Sequence, residues 1–225
     1  MKIAILKGVK NFEIEEEPIP TISSDEVLIR VKACGVCTSE LYFWNGKNKN
    51  IEFPRYFGHE PSGIIEKIGK NVKDLKPGDH VTVWAERKGY AEYIKVPKDY
   101  VVKIPEEVPF EMALGEPIAC AINGVRRSDI QLGDVVAIIG CGFMDSLIIQ
   151  GVMLRGPSKI IAIDLDDSRL KLAKKLGADI MINPKEQDAL KTVMALTGGK
   201  GADIVIEATG HQKPLNLAGE MTRIR

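Results

Sequence analysis

Apolar and polar positions alternate in the first half of the chain and gather into short solid runs in the second. From Asp25 to Val36 the alternation is regular, with Val27, Ile29 and Val31 on one face, the period-two mark of a half-buried strand. The short apolar runs over 63–69, 79–84 and 90–97 read the same way. Turn-forming words such as Lys76-Pro77-Gly78-Asp79 separate them. Helical spacing is scarce before residue 115. This pattern predicts an all-β, barrel-like first domain.

The later pattern differs. Val135-Val136-Ala137-Ile138-Ile139 is an unbroken apolar run, expected of a strand buried on both faces. A helical stretch follows, then a second strand over 159–165. A helix over 167–176 stops at Gly177. A third strand is expected over 179–183 and a fourth over 202–208, with a helix between. Strands alternating with helices predict parallel βαβ units and a doubly wound sheet. A helix over 113–128 joins the halves, so the expected domains are 1–118 and 119–225.

The first strand of the second domain runs into Gly140-Cys141-Gly142-Phe143-Met144-Asp145. A strand, a GxG turn and a helix form the phosphate-binding turn of a Rossmann domain: Gly140 allows the tight turn and Gly142 lets backbone approach a pyrophosphate. Asp164 ends the next strand about 20 residues on, where a carboxylate accepts from ribose hydroxyls and repels a 2′-phosphate. That pattern points to NAD, against the plainer reading of Asp164 as a solvated strand end. Asp145 departs from the pattern, standing where a third glycine packs helix against strand. It either caps the helix or competes with the cofactor's phosphates.

In the first half Cys37, His59 and Glu60 occur far apart, with Glu116 at the junction. Thiolate, imidazole and carboxylate are all zinc ligands, and a catalytic zinc keeps an open position. Singly, each has an ordinary alternative: a core cysteine, a hydrogen-bonded histidine, a surface glutamate, or a cap for the junction helix before Pro117. Cys34 and Cys37 form a CxxC, but no second CxxC follows to make a zinc ribbon.

Composition excludes several classes. Lys plus Arg and Asp plus Glu both number 31, so the net charge is zero and no nucleic-acid footprint is expected. No apolar run is long enough for a membrane span, and the N-terminus lacks a signal peptide's apolar core. A cytoplasmic protein is expected, with its cysteines as thiols or metal ligands.

The words around these residues add more. Ala33-Cys34-Gly35-Val36-Cys37-Thr38-Ser39-Glu40, Gly58-His59-Glu60, the run from Val72 to Val81 and Gly89-Tyr90-Ala91-Glu92-Tyr93 follow in order. They resemble the GroES-like catalytic domain of zinc-containing medium-chain alcohol and polyol dehydrogenases, in the sorbitol-dehydrogenase-like branch. Asp164 with Arg169, the run from Lys175 to Asp179, and Ile206-Glu207-Ala208-Thr209-Gly210 extend the likeness over essentially the whole chain.

The resemblance implies a GroES-like barrel followed by a partial Rossmann domain. It implies that Cys37 and His59 bind a catalytic Zn2+, that Glu60 is a direct or exchangeable ligand, and that Glu116 takes the fourth position. Ser39 would pass the substrate's proton, and Arg169 would lie near the adenosine ribose. The expected reaction is hydride transfer between a secondary alcohol, a polyol or sugar alcohol, and NAD. The partner is then a small-molecule alcohol or ketone, and assembly into a homo-oligomer stays open.

There are departures. Glu40 replaces the usual aspartate that supports a metal ligand. The cysteine-rich lobe that holds a structural zinc is absent between Val83 and Gly89, so a single zinc is expected. Family members continue beyond the position of Arg225, so a C-terminal truncation is expected. A non-catalytic fragment or pseudoenzyme that keeps zinc or nucleotide-binding elements is the alternative. A zinc-free quinone-reductase relative is disfavoured by Cys37, His59 and Glu116.

Overall fold

A computed structural model describes residues 1–224. The chain divides after Pro117 into two compact units, 1–117 and 118–225.

The first unit is built mainly of short antiparallel strands: β1 (Lys2–Gly8), β2 (Asn11–Glu16), β3 (Glu26–Cys34), β4 (Arg55–Tyr56), β5 (Pro61–Ile68), β6 (His80–Val83), β7 (Tyr93–Pro97) and β8 (Val101–Lys103). They form a three-stranded sheet in the order β2-β1-β4 and a five-stranded sheet in the order β7-β3-β5-β6-β8. A bridge between Ile3 and Ala91 links the segments that carry them. The period-two face read from the sequence is the core face: Val27 and Ile29 pack with Ile65, Val81, Ile94 and Val96, and Val31 lies against them. A short helix, α1 (Thr38–Trp44), starts directly after Cys37.

The second unit contains four parallel strands: β9 (Val135–Ile139), β10 (Lys159–Ile163), β11 (Ile180–Ile182) and β12 (Ile204–Glu207), in the order β11-β10-β9-β12. The remaining helices are α2 (Gly115–Arg127), α3 (Phe143–Met153), α4 (Asp167–Lys175), α5 (Ala189–Leu196) and α6 (Gln212–Met221). Alternate residues of the central strands enter two separate cores. Val136, Ile138, Ile160 and Ala162 pack with Ile148, Ile149 and Val152 of α3. Ala137, Ile139, Ile161 and Ile163 pack with Val193 of α5 and Met221 of α6. Burial on both faces is why these strands read as solid apolar runs. The chain runs outward from β9 through β10 to β11 and resumes with β12 on the other side of β9, so the order reverses between β9 and β12, the place where open α/β sheets bind ligands beyond the strand ends.

Candidate functional site

Three of the residues expected to hold metal converge in the first unit. One ligand atom each from Cys37, His59 and Glu60 lies within 4.8 Å of the others. The local folding explains how. Cys37 is the N-cap of α1, so its side chain projects from the end of a helix. His59 and Glu60 stand just before β5, after Gly58 at φ +93°. A Cβ on Gly58 would meet the Tyr90 backbone nitrogen at 2.5 Å, so glycine is required there by both conformation and space.

Glu40 braces the cluster from behind. It is buried in α1, and its Oε1 accepts from the Gly58 N–H at 2.9 Å and lies 2.8 Å from Nδ1 of His59. The Tyr90 hydroxyl donates to Glu40 Oε2. With Glu40 as the acceptor, the tautomer this contact favours carries its hydrogen on Nδ1 and leaves Nε2 facing the cluster. That nitrogen lies 3.5 Å from Glu60 Oε1. A carboxylate behind a histidine, fixing its tautomer, is how proteins orient metal-binding imidazoles. Glu40 fills this role although it is longer than the expected aspartate. Tyr90 is a contributor that sequence reasoning missed: it lies 50 residues from Glu40 and no spacing marks it.

Burial raises the Glu60 carboxyl above its usual range; the nearby His59 opposes this, and the charges of Glu116 and Glu40 add to it. Glu116 stands in the first turn of α2, close enough for its charge to be felt at Glu60 but outside the tight group of three. Ser39 is exposed, its hydroxyl 3.2 Å from the Cys37 sulfur. Cys34 is separate: burial pushes its thiol up to about 12, so it stays protonated. No disulfide joins it to Cys37.

The donor set of thiolate, imidazole and carboxylate, with the imidazole already oriented, fits a zinc ion. Cys37, His59 and Glu60 would hold it, with Glu116 nearby.

In the second unit the turn after β9 carries Gly140 at φ +101° and Gly142 as the N-cap of α3. Both of the amides that follow Gly140 are bonded to carboxylates of the chain itself. The Cys141 N–H donates to Asp164 Oδ2 at 2.8 Å. The Gly142 N–H donates to Asp145 Oδ2 at 3.0 Å. Asp164 also accepts from the Asp166 N–H at 2.8 Å, and the Arg169 guanidinium lies 3.8 Å from it.

Asp145 is only 4 % exposed. A Cβ built on Gly140 would meet its carboxylate oxygens at 3.0 and 3.2 Å, and one on Gly142 would meet Oδ2 at 3.5 Å. The Asp145 carboxylate, from the first turn of α3, therefore lies against both glycines. Its Oδ1 is buried without a hydrogen-bond partner. With a negative carboxylate in place the turn does not fit the like-charged pyrophosphate.

Comparison with known proteins agrees with this architecture. Residues 23–106 match the alcohol dehydrogenase GroES-like domain, and residues 146–225 match the zinc-binding dehydrogenase domain. The chain is 36 % identical to an L-threonine 3-dehydrogenase of Bacillus velezensis, over 92 % of this chain and 70 % of that protein. It is 34 % identical to a sorbitol dehydrogenase of Bacillus subtilis, over 97 % of this chain and 71 % of that protein. Among solved structures, an alcohol dehydrogenase of Thermus sp. ATN1 superposes with a TM-score of 0.84 at 30 % identity, covering 99 % of this chain and 75 % of that one. The expected GroES-like and Rossmann-like folds are thus both present, and the chain belongs to the zinc-containing medium-chain alcohol and polyol dehydrogenases, an oxidoreductase family acting on alcohols.

Proposed function

We propose that the first unit binds one catalytic zinc through Cys37 and His59, with Glu60 as a direct or exchangeable ligand and Glu116 at the fourth position. The substrate class is a secondary alcohol, a polyol or sugar alcohol, interconverted with its ketone. The observation that carries this reading is the convergence of the three donors with His59 held by Glu40. A zinc ion there would supply Lewis acidity that eases loss of the alcohol's proton.

The chain's own residues do the rest. Glu40 and Tyr90 keep the His59 ring in one tautomer and orientation. Ser39, exposed beside the Cys37 sulfur, would receive the substrate proton and pass it outward. Asp164 favours NAD over NADP as the partner dinucleotide, because a carboxylate at that strand end repels a 2′-phosphate.

A second reading is favoured by a specific observation. The buried Asp145 carboxylate in the glycine turn supports a chain that keeps zinc but turns over alcohols poorly. Zinc stoichiometry and polyol-dependent NADH formation test both readings. One zinc per chain is expected, lost in Cys37→Ser. Absence of zinc after purification in zinc-replete buffer rejects the metal assignment. Turnover at ordinary rates, about 1–1000 per second, rejects the second reading.

A further inference from the structure

The glycine turn after β9 is built like an anion cradle, yet its contents come from the chain itself. The Asp145 carboxylate lies on the Gly142 amide, against the two glycines whose missing side chains leave room. Its second oxygen is buried without a partner. That oxygen is the unexplained feature. A buried acceptor left unpaired costs roughly as much as a lost hydrogen bond or more, and nothing in the fold of α3 requires it. A cap for the helix needs only the oxygen already bonded to Gly142.

We propose that Asp145 sets the dinucleotide affinity of this chain: its carboxylate sits on the Gly142 amide that faces the phosphate position, and an anionic dinucleotide binds there only with that carboxylate neutralised by a proton. The inference rests on the dinucleotide part of the proposed function and not on the zinc site. The proton comes from solvent and goes to Asp145, up to one for each dinucleotide bound.

The surroundings bias the group toward taking it. Burial raises the Asp145 carboxyl above its ordinary range; the Gly142 amide opposes this, and the negative charges of Asp164 after β10 and Glu207 in β12 reinforce it. The remaining titratable neighbour in the turn, Cys141, is itself pushed up to about 12 by burial and stays neutral. Arg169 of α4 is directed to Asp164. The charged neighbours named for Asp145 are thus carboxylates, and an arriving pyrophosphate adds to their repulsion. Linkage then fixes the sign. Bound pyrophosphate raises the Asp145 pKa further, so binding takes up a proton and affinity rises as pH falls.

The test is NADH binding followed by its fluorescence between pH 5.5 and 8, with no alcohol present. Calorimetry in two buffers of different ionisation enthalpy counts the protons. Adenosine, which has no phosphate, is the control. For the parent chain, NADH affinity should weaken by up to about tenfold per pH unit where Asp145 is protonated in the complex but ionised without it. Asp145→Asn keeps the shape and removes the charge; it should flatten the slope and bind NADH one to two decades more tightly, roughly, at neutral pH. Asp145→Gly should do at least as well.

Adenosine should bind all three alike. Circular dichroism establishes that each variant is folded, and the Asn variant keeps the test open if the Gly variant is not. Equal NADH affinity in parent and variants with no proton uptake overturns the proposal. So does failure of all three to bind NADH. An Asn variant that binds NADH tightly yet oxidises no alcohol sustains the proposal while the alcohol reading falls.

Discussion

Glu60 lies directly over Gly35: a Cβ on Gly35 would fall 2.0 Å from Glu60 Oε2 and 3.1 Å from its Cβ and Cδ. The glycine makes room for the carboxylate that completes the group of three. Because Oε2 is the far end of a flexible side chain, Gly35→Ala should fold but swing Glu60 away from Cys37 and His59. Zinc affinity should fall by about ten- to a hundredfold, in the range of lost supporting contacts, while the melting temperature of metal-free protein changes little. A competition titration with a chelator reads the first, calorimetry the second. Gly58→Ala should do the reverse, destabilising the fold by about 1–3 kcal/mol, since backbone conformation and the Tyr90 nitrogen both oppose a side chain there.

Glu40→Gln should weaken zinc binding by about ten- to a hundredfold. The amide can accept from Gly58 or Tyr90 but no longer holds the His59 Nδ1 hydrogen as an ion does. Tyr90→Phe should have a smaller effect in the same direction. If Glu40→Gln binds zinc like the parent, the bracing role assigned to Glu40 is wrong.

Two cysteines should separate cleanly by metal content. Cys37→Ser should lower zinc occupancy measured by elemental analysis. Cys141→Ser should leave it unchanged, because Cys141 sits in the glycine turn of the second unit. A second zinc per chain would contradict the single-site expectation.

Dinucleotide preference is best measured in the Asp145→Asn background. There NADH should bind more tightly than NADPH, and adding Asp164→Ala should narrow the gap. Tighter NADPH binding with Asp164 intact would reject the preference assigned to it.

Asp145 also predicts a stability profile. Its folded-state pKa is raised, chiefly by burial. A raised carboxyl favours the fold while protonated. That contribution is complete below the unfolded value of about 3.9 and disappears as pH rises through the folded value. At neutral pH the Asp145→Asn variant should therefore be more stable, by about 1 kcal/mol, read as a rise of a few degrees in melting temperature. The difference should shrink as pH falls toward about 4. A variant less stable than the parent at pH 7 would mean that the helix N-terminus outweighs burial.

Much of the fold was legible because burial imposes a period. The alternation across 25–36 became β3, and the solid runs became β9 and β10, whose two faces enter different cores. The hairpin of β1 and β2 was not legible. β2 is mostly exposed and carries Glu13, Glu15 and Glu16, so no apolar period marks it. α1 was missed because it is seven residues long and begins at the N-cap Cys37, inside a word read for its chemistry. At the site, side-chain type was visible in the sequence but convergence was not. Cys37 and His59 are natural metal donors wherever they lie. Tyr90 and Gly35 matter only through what the fold lays against them. Asp145 was visible as a departure; its burial and its unpaired oxygen were not.

The obstruction in the glycine turn resides in one side chain. Either aspartate codon becomes a glycine codon by one change at its middle base, so the closed form of this turn lies a single point mutation from the open one. A lineage carrying the closed form keeps the surrounding strands, helices and metal donors intact through the change. A loss of dinucleotide affinity by this route would be heritable yet revertible by one base change, unlike losses that require rebuilding a core.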